Sequence, residues 1–517
     1  MRLLAPILIA AGMLAATAHG ADRPNVLFLC VDDWNDWVGC LGEDEVKTPH
    51  MDRLAARGIL FTNAHCASPV CNPSRAAVMS GLRPFETGVY ENGAPLQLAL
   101  PDGRLTLPQL FRAGGYLSHG AGKIYHDQIG FNFPSDWDHF YLWNELYRTW
   151  GWECGYSRAP DPQPEPRPAA KITSKTKRNF DFAPLACPDR EMPDFKSTSY
   201  GVEFLGREHP QPFFLAVGQF RPHLPWFVPE KYFDLYPIDE IKTPPVLEGD
   251  VDDLPEIAKQ RALDRNSKHA EIVRLGEWER AVQAYKACIS FADAQIGRLL
   301  DALDAGPHRD NTIVVLWSDH GYHLGEKGHW HKRTLWERST HVPLIFVVPG
   351  VTRAGSTCDN PVDLTSIYPT LAELAGLPGA SKRSLVPMLE EPGRRVDSVA
   401  LTSHTRGNHA VRSHTHRYIR YSDGSEELYD HRADPNEWHN LAGDGGSEKV
   451  IASLREHLPE SEAPAAPDYY RGTALIKLDG EGYTWGRKSE IAGDPAYVNA
   501  ARLKSKAWQA AAKEHEN

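Results

Sequence analysis

Four apolar runs in the first two thirds of the chain are continuous rather than alternating, which is typical of strands buried on both faces of a sheet. Apolar residues at helical spacing lie between them, most clearly over 277–303. This alternation of buried strands and amphipathic helices predicts an α/β fold with a large, mostly parallel sheet flanked by helices. The four runs cover 25–31, 212–218, 312–317 and 342–349.

The character of the chain changes after about residue 395. Short runs separated by turn residues follow at 399–402, 417–421 and 427–430, which is typical of a small antiparallel sheet with hairpins. A terminal helix is predicted over 503–514. The sequence therefore predicts a main domain over 22–395 and a C-terminal subdomain over 396–517, with a long insertion over 135–193 that packs at the rim of a cleft.

The first 21 residues have the form of a secretory signal peptide. A basic start at Arg2 precedes an apolar run over 3–18, and cleavage after Ala18 or Ala21 fits the small residues that follow. An uncleaved anchor is the alternative, although the run is short for a membrane span of about 20 residues. No other stretch has that length, so we expect an exported protein, secreted or periplasmic, without stable membrane insertion.

A formal net charge of −12 over 517 residues argues against nucleic acid as the main partner. It leaves an anionic substrate open, because the local field at a site can oppose the net charge. Eight cysteines are too few for a disulfide framework in a chain of this length. Cys30 and Cys288 fit buried thiols, whereas Cys154 and Cys187 flank a proline-rich insert and could pair.

Side chains that can bind a metal follow two of the buried strands. Asp32 and Asp33 come directly after the first run, and Asp319 and His320 follow the third. Open α/β sheets bind their ligands at the carboxyl ends of the strands, so these residues are candidates for one site. A solvated turn or a helix-capping pair is the alternative interpretation of Asp32 and Asp33.

Three more candidates follow predicted strand ends. Lys123 and His126 come after a strand predicted over 116–121 and could face one cleft, although taken alone they fit surface positions better. His223 lies between two prolines in a stiff loop after the second run. Such a loop suits a positioned acid or base, and a packed loop histidine fits the local sequence equally well.

The pattern over 68–81 predicts the entrance of a helix that carries a thiol. Asn72 suits the N-cap, Pro73 the first helical position and Gly81 the end. Cys71 would then lie just outside the positive end of the helix dipole, and Arg75 would add a fixed positive charge. An inert buried thiol, a thiolate nucleophile and a modified residue are the three interpretations open at this point.

Cys71-Asn72-Pro73-Ser74-Arg75 resembles the C-x-P-S-R signature of the type I sulfatases, and the other candidates follow in the order found in that family. Residues 427–441 are similar to its second subdomain. Several details look like the iduronate-2-sulfatase branch, namely His320 at the last metal position, the Gly-Lys-x-x-His run at 122–126 and the Arg-Pro-His-x-Pro loop at 221–225. The resemblance implies the alkaline-phosphatase-like sulfatase fold.

The resemblance also implies the cofactors. Cys71 would be converted to formylglycine (3-oxoalanine) by a formylglycine-generating enzyme. One hydroxyl of its hydrate would attack the sulfate ester, and the other would later lose a proton to expel sulfate. Ca²⁺ is the implied metal, with Mg²⁺ or another divalent ion as the alternative because a histidine ligand is unusual for a hard cation. The implied metal ligands are Asp32, Asp33, Cys71, Asp319 and His320.

Each remaining candidate takes a role from the same resemblance. Arg75 and Lys123 would hold the formylglycine and the sulfate, and Lys332 would clamp sulfate oxygens. His126 would assist at the hydrate, and His223 would protonate or polarise the leaving alcohol. Three cations and a metal around one sulfate would supply the charge stabilisation that a sulfuryl transition state needs.

The implied activity is that of an exported sulfuric ester hydrolase. Its expected substrate is a sulfated carbohydrate such as a glycosaminoglycan, with a 2-O-sulfated uronate as the sugar that the branch suggests. The alternative is a phosphodiesterase or phosphonate monoester hydrolase of the alkaline phosphatase superfamily, which shares the metal cluster. A non-enzymatic carbohydrate-binding relative is a third possibility, disfavoured because no catalytic position is lost.

Overall fold

The strand Asn25–Val31 lies at the centre of the molecule, and every one of its residues is buried. The computed structural model describes residues 23–96, 99–126, 134–141, 180–263 and 269–466, together with three short strands between 477 and 492. Alternate side chains of the central strand enter two separate cores, with Leu27, Leu29 and Val31 on one face and Val26, Phe28 and Cys30 on the other. The continuous apolar run thus forms a strand covered on both faces, as predicted.

The strands in chain order are β1 Asn25–Val31, β2 Ile59–Phe61, β3 Ala64–His65, β4 Leu117–Gly122, β5 His139–Tyr141, β6 Phe182–Leu185, β7 Phe213–Gly218, β8 Trp226–Pro229, β9 Thr312–Ser318, β10 His323–Leu324, β11 Trp330–His331, β12 Leu344–Val347, β13 Ser356–Cys358, β14 Val362–Asp363, β15 Ala400–Ser403, β16 His409–Arg412, β17 His416–Arg420, β18 Glu426–Asp430, β19 Lys477–Asp479, β20 Gly482–Trp485 and β21 Ser489–Ala492. Eight of them form the main sheet in the order β13-β2-β12-β9-β1-β7-β4-β5. Within it β12 runs antiparallel to both neighbours, and the other pairs are parallel. The sheet is mostly parallel, as predicted.

The helices are α1 Pro49–Arg57, α2 Cys71–Ser80, α3 Pro84–Thr87, α4 Leu107–Ala113, α5 Pro193–Leu205, α6 Glu230–Phe233, α7 Glu256–Ala262, α8 His269–Arg274, α9 Trp278–Ala305, α10 Glu337–Thr340, α11 Ile367–Leu374, α12 Val386–Glu390 and α13 Glu448–Arg455. Helices α1, α5 and α9 cover one face of the sheet, and α2, α4 and α11 cover the other. This three-layer arrangement is the α/β fold that the sequence predicts.

The C-terminal antiparallel sheet is also present, in the order β15-β16-β17-β18. Its second strand, β16, was not among the predicted runs. The described helices include none long and apolar enough to cross a membrane. The segments predicted as a signal peptide (1–21) and a terminal helix (503–514) lie outside the described residues, as does Cys154, while Cys187 is a free thiol. The boundary near residue 395 stays a prediction.

A buried ion-pair network joins the C-terminal sheet to the main sheet's loops. Arg417 on β17 is fully buried and pairs with Glu337 at the start of α10 and with Glu437, the latter at 2.6 Å between Nε and Oε1. Arg412 pairs with the same Glu337 carboxylate at 3.1 Å, and His431 lies 2.9 Å from Glu437. Glu337, His431 and Glu437 lie close enough together to bind a metal ion. The guanidinium groups of Arg412 and Arg417, however, already neutralise the two carboxylates.

We expect Arg417→Met to lower the free energy of unfolding by about 3–5 kcal/mol, because it removes the buried cation shared by Glu337 and Glu437 and leaves them only Arg412 and His431 as partners. Burial alone would raise the pKa of Glu337, but Arg412, His431 and Arg417 outweigh it and hold that pKa well below its ordinary value. A lowered carboxyl pKa stabilises the fold above the unfolded pKa and is lost as pH falls. The deficit of the variant, measured by urea unfolding at several pH values, should therefore shrink in acid.

Arg432→Met is the matched control. Arg432 pairs with Asp430, the last residue of β18, but 64% of its side chain is exposed. Its effect should stay within about 1 kcal/mol. Equal losses from the two variants would contradict a special role for the buried network.

Candidate active site

Helix α2 begins two residues earlier than predicted. Cys71 is its first residue, so the thiol is part of the helix, and the N-cap is Val70 rather than Asn72. The Asn72 side chain cannot cap because its amide donates to the carbonyl oxygens of Glu91 and Ala94. The side chain of Asn92 caps instead, accepting from the backbone N–H of Asn72 at 3.0 Å. Gly81 ends the helix in the left-handed conformation, as predicted.

Asp32 and Asp33 follow β1 at the carboxyl edge of the sheet, and both are buried. The amine of Lys123, just past β4, pairs with Asp32, and the amine of Lys332 pairs with Asp33. Asp33 adopts a φ of 62°, a left-handed conformation that Asp tolerates better than most residues. The turn after β1 thereby presents both carboxylates to the cationic side chains that follow other strands.

Asp319 and Arg75 form the support behind this pair. One Asp319 oxygen accepts the backbone N–H groups of Asp33 and His320 at 3.1 and 3.0 Å, and the other accepts Arg75 Nε at 2.8 Å. The remaining guanidinium nitrogens of Arg75 donate to the carbonyl oxygens of Lys123, Ile124 and Val31. Arg75 is fully buried, and these hydrogen bonds fix its guanidinium group against the carboxyl ends of β1 and β4.

Cys71 lies at the centre of the candidate site. Its Sγ is 3.2 Å from Lys332 Nζ and 3.3 Å from His320 Nε2. The other ring nitrogen of His320 donates to the Gly321 carbonyl at 3.0 Å, which leaves Nε2 with a lone pair directed at the site. Donor atoms of Asp32, Asp33, Cys71 and His320 all lie within 4.8 Å of one another. Asp319 borders this group, with an oxygen 3.7 Å from His320 Nε2.

The donor set fits a divalent cation. Ligand atoms on opposite sides of a calcium ion bound at 2.3–2.6 Å are about 5 Å apart, close to the observed spread. One oxygen of Asp32 is buried without a hydrogen-bond partner among the described residues, so it is available as a ligand.

Burial raises the pKa values of the acidic groups in the site, and the neighbouring cations act in the opposite direction. It raises the pKa of Asp33 to about 6 despite Lys332, and that of Asp319 to about 8 despite Arg75. Burial also acts to raise the pKa of Asp32, but Lys123, His223, Arg75 and Lys332 together outweigh it, and that pKa falls well below its usual value. Burial also raises the pKa of Cys71 to about 12, although Lys123 and Lys332 oppose it. The unmodified thiol therefore stays protonated at neutral pH, which disfavours the thiolate interpretation.

His223 lies in the loop after β7, where cis peptide bonds precede Pro222 and Pro225. Its Nδ1 donates to the Leu224 carbonyl at 2.5 Å, and its Nε2 lies 3.9 Å from Asp33. Arg221 steadies the loop by donating to the carbonyl oxygens of His223 and Phe227. The predicted stiff loop thus brings an imidazole nitrogen near the Asp33 carboxylate, with the His223 side chain 21% exposed.

Two other histidines complete the surroundings. His126 is buried three residues beyond Lys123, at the same edge of the sheet, and its part in the chemistry stays a prediction. His331 was noted in the sequence only as part of a polar loop. It has a φ of 132°, an unusual conformation for a residue with a side chain. Burial lowers its pKa, and Lys332 and His223 contribute, so these three side chains are neighbours.

The sequence profile described as Sulfatase matches residues 24–377. A sulfatase from Formosa agariphila is 40% identical over 460 residues, which cover 86% of this chain and 87% of that protein. The chain belongs to the sulfatase family. It is therefore an enzyme that hydrolyses sulfate esters. A second profile, described as N-sulphoglucosamine sulphohydrolase, C-terminal, matches residues 325–463 of this sulfatase.

Human iduronate 2-sulfatase is 31% identical over 420 residues, covering 72% of this chain and 73% of that protein. Among solved structures, a putative sulfatase from Bacteroides thetaiotaomicron VPI-5482 matches 84% of this chain and 91% of its own, with TM-score 0.63 and 23% identity. A phosphonate monoester hydrolase from Silicibacter pomeroyi matches 90% and 100%, with TM-score 0.66 and 20% identity. At these identities the structures show the shared alkaline-phosphatase-like fold alone.

Gly218 positions Lys123 by its lack of a side chain. A Cβ at this position would lie 2.1 Å from the Lys123 carbonyl oxygen, so we expect Gly218→Ala to displace Lys123. The overpacking should cost about 1–3 kcal/mol of stability, and kcat for an aryl sulfate should fall at least tenfold. Thermal unfolding and initial rates measure the two effects.

Gly206→Ala is the control, because a Cβ there would meet its nearest neighbour at 3.6 Å, an ordinary contact. It should retain wild-type kcat. Wild-type kcat in Gly218→Ala would show that the Lys123 backbone tolerates the displacement.

Proposed function

We propose that this sulfatase removes the 2-O-sulfate of a uronate in a sulfated carbohydrate, using formylglycine at position 71 and a divalent cation, with Ca²⁺ as the best candidate. The observation that carries the proposal is the position of Cys71 Sγ, in contact with Lys332 and His320 and inside the donor set of Asp32 and Asp33. The similarity to human iduronate 2-sulfatase over 72% of the chain supports the uronate.

The metal would be held by Asp32, Asp33, His320 and the modified residue 71, with Asp319 beside them. When bound, it would lower the pKa of a coordinated hydroxyl and draw charge from the sulfate. Carboxylate oxygens favour Ca²⁺ or Mg²⁺, and the neutral His320 nitrogen is the ligand that keeps other divalent ions open. Formylglycine would supply the geminal hydroxyl pair that a thiol lacks.

The cations of the site divide into two groups. Lys123 and Lys332 have flexible amines next to Asp32, Asp33 and residue 71, so both can reach a sulfate oxygen. Arg75 instead donates to Asp319 and to backbone carbonyls, so we infer that it positions the metal-binding carboxylates and acts on substrate through its charge alone. This refines the direct substrate contact expected from the family resemblance.

His223 would meet the leaving oxygen of the sugar. Its Nδ1 is engaged by the Leu224 carbonyl, which leaves Nε2 facing the pocket beside Asp33. Because Nδ1–H is used on the Leu224 carbonyl, Nε2 carries a hydrogen only when the ring is protonated, and that imidazolium form would give its Nε2 proton to the alcohol oxygen as the S–O bond lengthens. His126, three residues beyond Lys123, would assist at the hydrate of residue 71.

We also propose that the protein is exported and that a second enzyme converts Cys71 to formylglycine. The signal-like segment over 1–21 supports secretion or delivery to the periplasm. The C-x-P-S-R segment is buried in the folded chain, with Cys71 1% exposed. A formylglycine-generating enzyme would therefore have to act before folding closes the site. No nucleic acid is expected as a partner, because the net charge is −12.

A sulfate-release screen tests the proposed substrate. We expect matured enzyme to release sulfate from 2-O-sulfated uronate oligosaccharides, and to hydrolyse an aryl sulfate at least a hundredfold faster than the matching aryl phosphate or phosphonate ester. Mass spectrometry of the peptide containing residue 71 serves as the control, because it reports the thiol-to-aldehyde conversion. Faster phosphoester hydrolysis by matured protein would favour the phosphodiesterase or phosphonate hydrolase alternative.

Metal dependence is tested by Asp32→Ala and Asp319→Ala. We expect both variants to lose bound metal and at least a thousandfold in kcat/KM with the fold retained, because each removes charge that holds the cation. Elemental analysis, circular dichroism and initial rates are the measurements. Asp310→Ala is the control, since Asp310 is 99% exposed. Wild-type turnover in either site variant would refute the assignment.

A further inference from the structure

A second group of basic side chains lies beside the segment that leads into Cys71. Arg261 ends the last turn of α7, Arg333 directly follows Lys332, and His404 follows β15. The backbone N–H of Arg333 donates to the Pro69 carbonyl at 3.1 Å, and that of Ser403 donates to the Ala67 carbonyl at 2.9 Å. Arg333 and His404 therefore border the loop that leads into Cys71, and Arg261 reaches the same place through its hydrogen bond to Thr405, the residue after His404.

Two of the three side chains hold polar atoms with no hydrogen-bond partner among the described residues. These atoms are Arg261 Nε and His404 Nδ1, both shielded from solvent, and His404 as a whole is 4% exposed. Arg261 is anchored by Nη2, which donates to Thr405 Oγ1 at 3.3 Å. Thr405 in turn accepts from Asn408 Nδ2 at 2.9 Å. The scaffold holds these groups in place while leaving the Arg261 Nε–H and a His404 ring nitrogen unused, and an unmet buried polar group is costly without a ligand.

The group carries uncompensated positive charge. Arg333 pairs with Glu91 at 3.1 Å and keeps 31% of its side chain exposed. Burial lowers the pKa of the nearby Arg261 and Arg333 adds to this, while Tyr421 and the same Glu91 oppose it. Burial also lowers the pKa of His404, and both arginines add to this, so its ring is neutral. Two guanidinium groups thus share one carboxylate.

We propose that Arg261, Arg333 and His404 form a second anion site, which binds a carboxylate or sulfate group of the substrate other than the sulfate that is cleaved. The proposal rests on the proposed function and deepens it. Guanidinium groups match carboxylate and sulfate oxygens in geometry, and their hydrogen bonds to an anion are charge-assisted. The anion would come from the uronate carboxylate of the same sugar or from a sulfate on the adjoining sugar.

Binding to a full-length Cys71→Ser protein, shown by mass spectrometry to carry no aldehyde at residue 71, tests the second anion site without turnover. The probe is a 2-O-sulfated uronate–glucosamine disaccharide, titrated by calorimetry. We expect Arg261→Gln and Arg333→Gln, each placed in the Cys71→Ser background, to weaken binding about tenfold or more. Arg274→Gln is the matched control, because Arg274 lies at the end of the next helix, α8, with 67% of its side chain exposed. It should bind as the parent does.

Two altered probes identify the source of the anion. If the site binds the uronate carboxylate, the parent protein binds the carboxyl-reduced disaccharide weakly. The two arginine substitutions then cause no further loss of affinity for that probe. If a neighbouring sulfate is bound, the substitutions matter only for the disaccharide with an additional glucosamine sulfate. Thermal unfolding of each variant separates lost binding from lost folding, and two separate substitutions keep the test valid if one variant is unstable.

Affinities equal to the Arg274→Gln control for every probe would overturn the second anion site, and so would an absence of measurable binding by the parent. A failure of the proposed function is distinct from this. It would appear as matured wild-type enzyme that releases no sulfate from the same disaccharide. In that case the arginine-dependent binding would still establish the anion site.

Discussion

The structure depends on the burial of opposite charges at the carboxyl edge of the main sheet. Asp32, Asp33 and Asp319 are all buried, and each is paired with a buried cation, namely Lys123, Lys332 and Arg75 in turn. Removing such groups from water costs several kcal/mol per ion, so each is stable only with its partner in place. The penalty makes the arrangement specific, because a displaced lysine or carboxylate would leave a buried charge unpaired.

The positions of the main candidates were predictable because each follows a run of apolar residues. A continuous apolar run sets where a strand is buried, and the first charged residue marks its exit, as at Asp32 and Asp319. Parallel strands bring their carboxyl ends to one edge, so residues nearly 300 positions apart meet. The pairing of Lys332 with Asp33 was not predictable from spacing, because a loop determines it.

Other features depend on contacts that no local pattern reveals. The start of α2 was misplaced because Asn72 is a good N-cap by type, yet its amide bonds to Glu91 and Ala94. The strand β16, with the sequence HAVR, is short and half polar, and its pairing with both β15 and β17 stabilises it. The second anion site combines residues from α7, the Lys332 loop and the C-terminal sheet, and only the folded chain brings them together.

The loop that carries Lys332 links the C-terminal sheet to the chemistry. Positive φ values occur at three residues of this loop, Lys327, His331 and Arg333. Each such conformation costs about 1–3 kcal/mol and persists only where the surrounding structure enforces it. The Lys327 amine supplies one such constraint, since it contacts the Asp250 carboxylate at 2.8 Å and the Glu437 carbonyl.

The ring of His329 adds a second constraint by bridging the carbonyl oxygens of Ala262 and Lys332. Glu437 is itself held by Arg417 on β17. The path from β17 through Glu437 and Lys327 therefore fixes the backbone that aims Lys332 at residue 71. The C-terminal sheet therefore helps to hold Lys332 in place, because losing it would remove one of the contacts that keep the strained loop in its conformation.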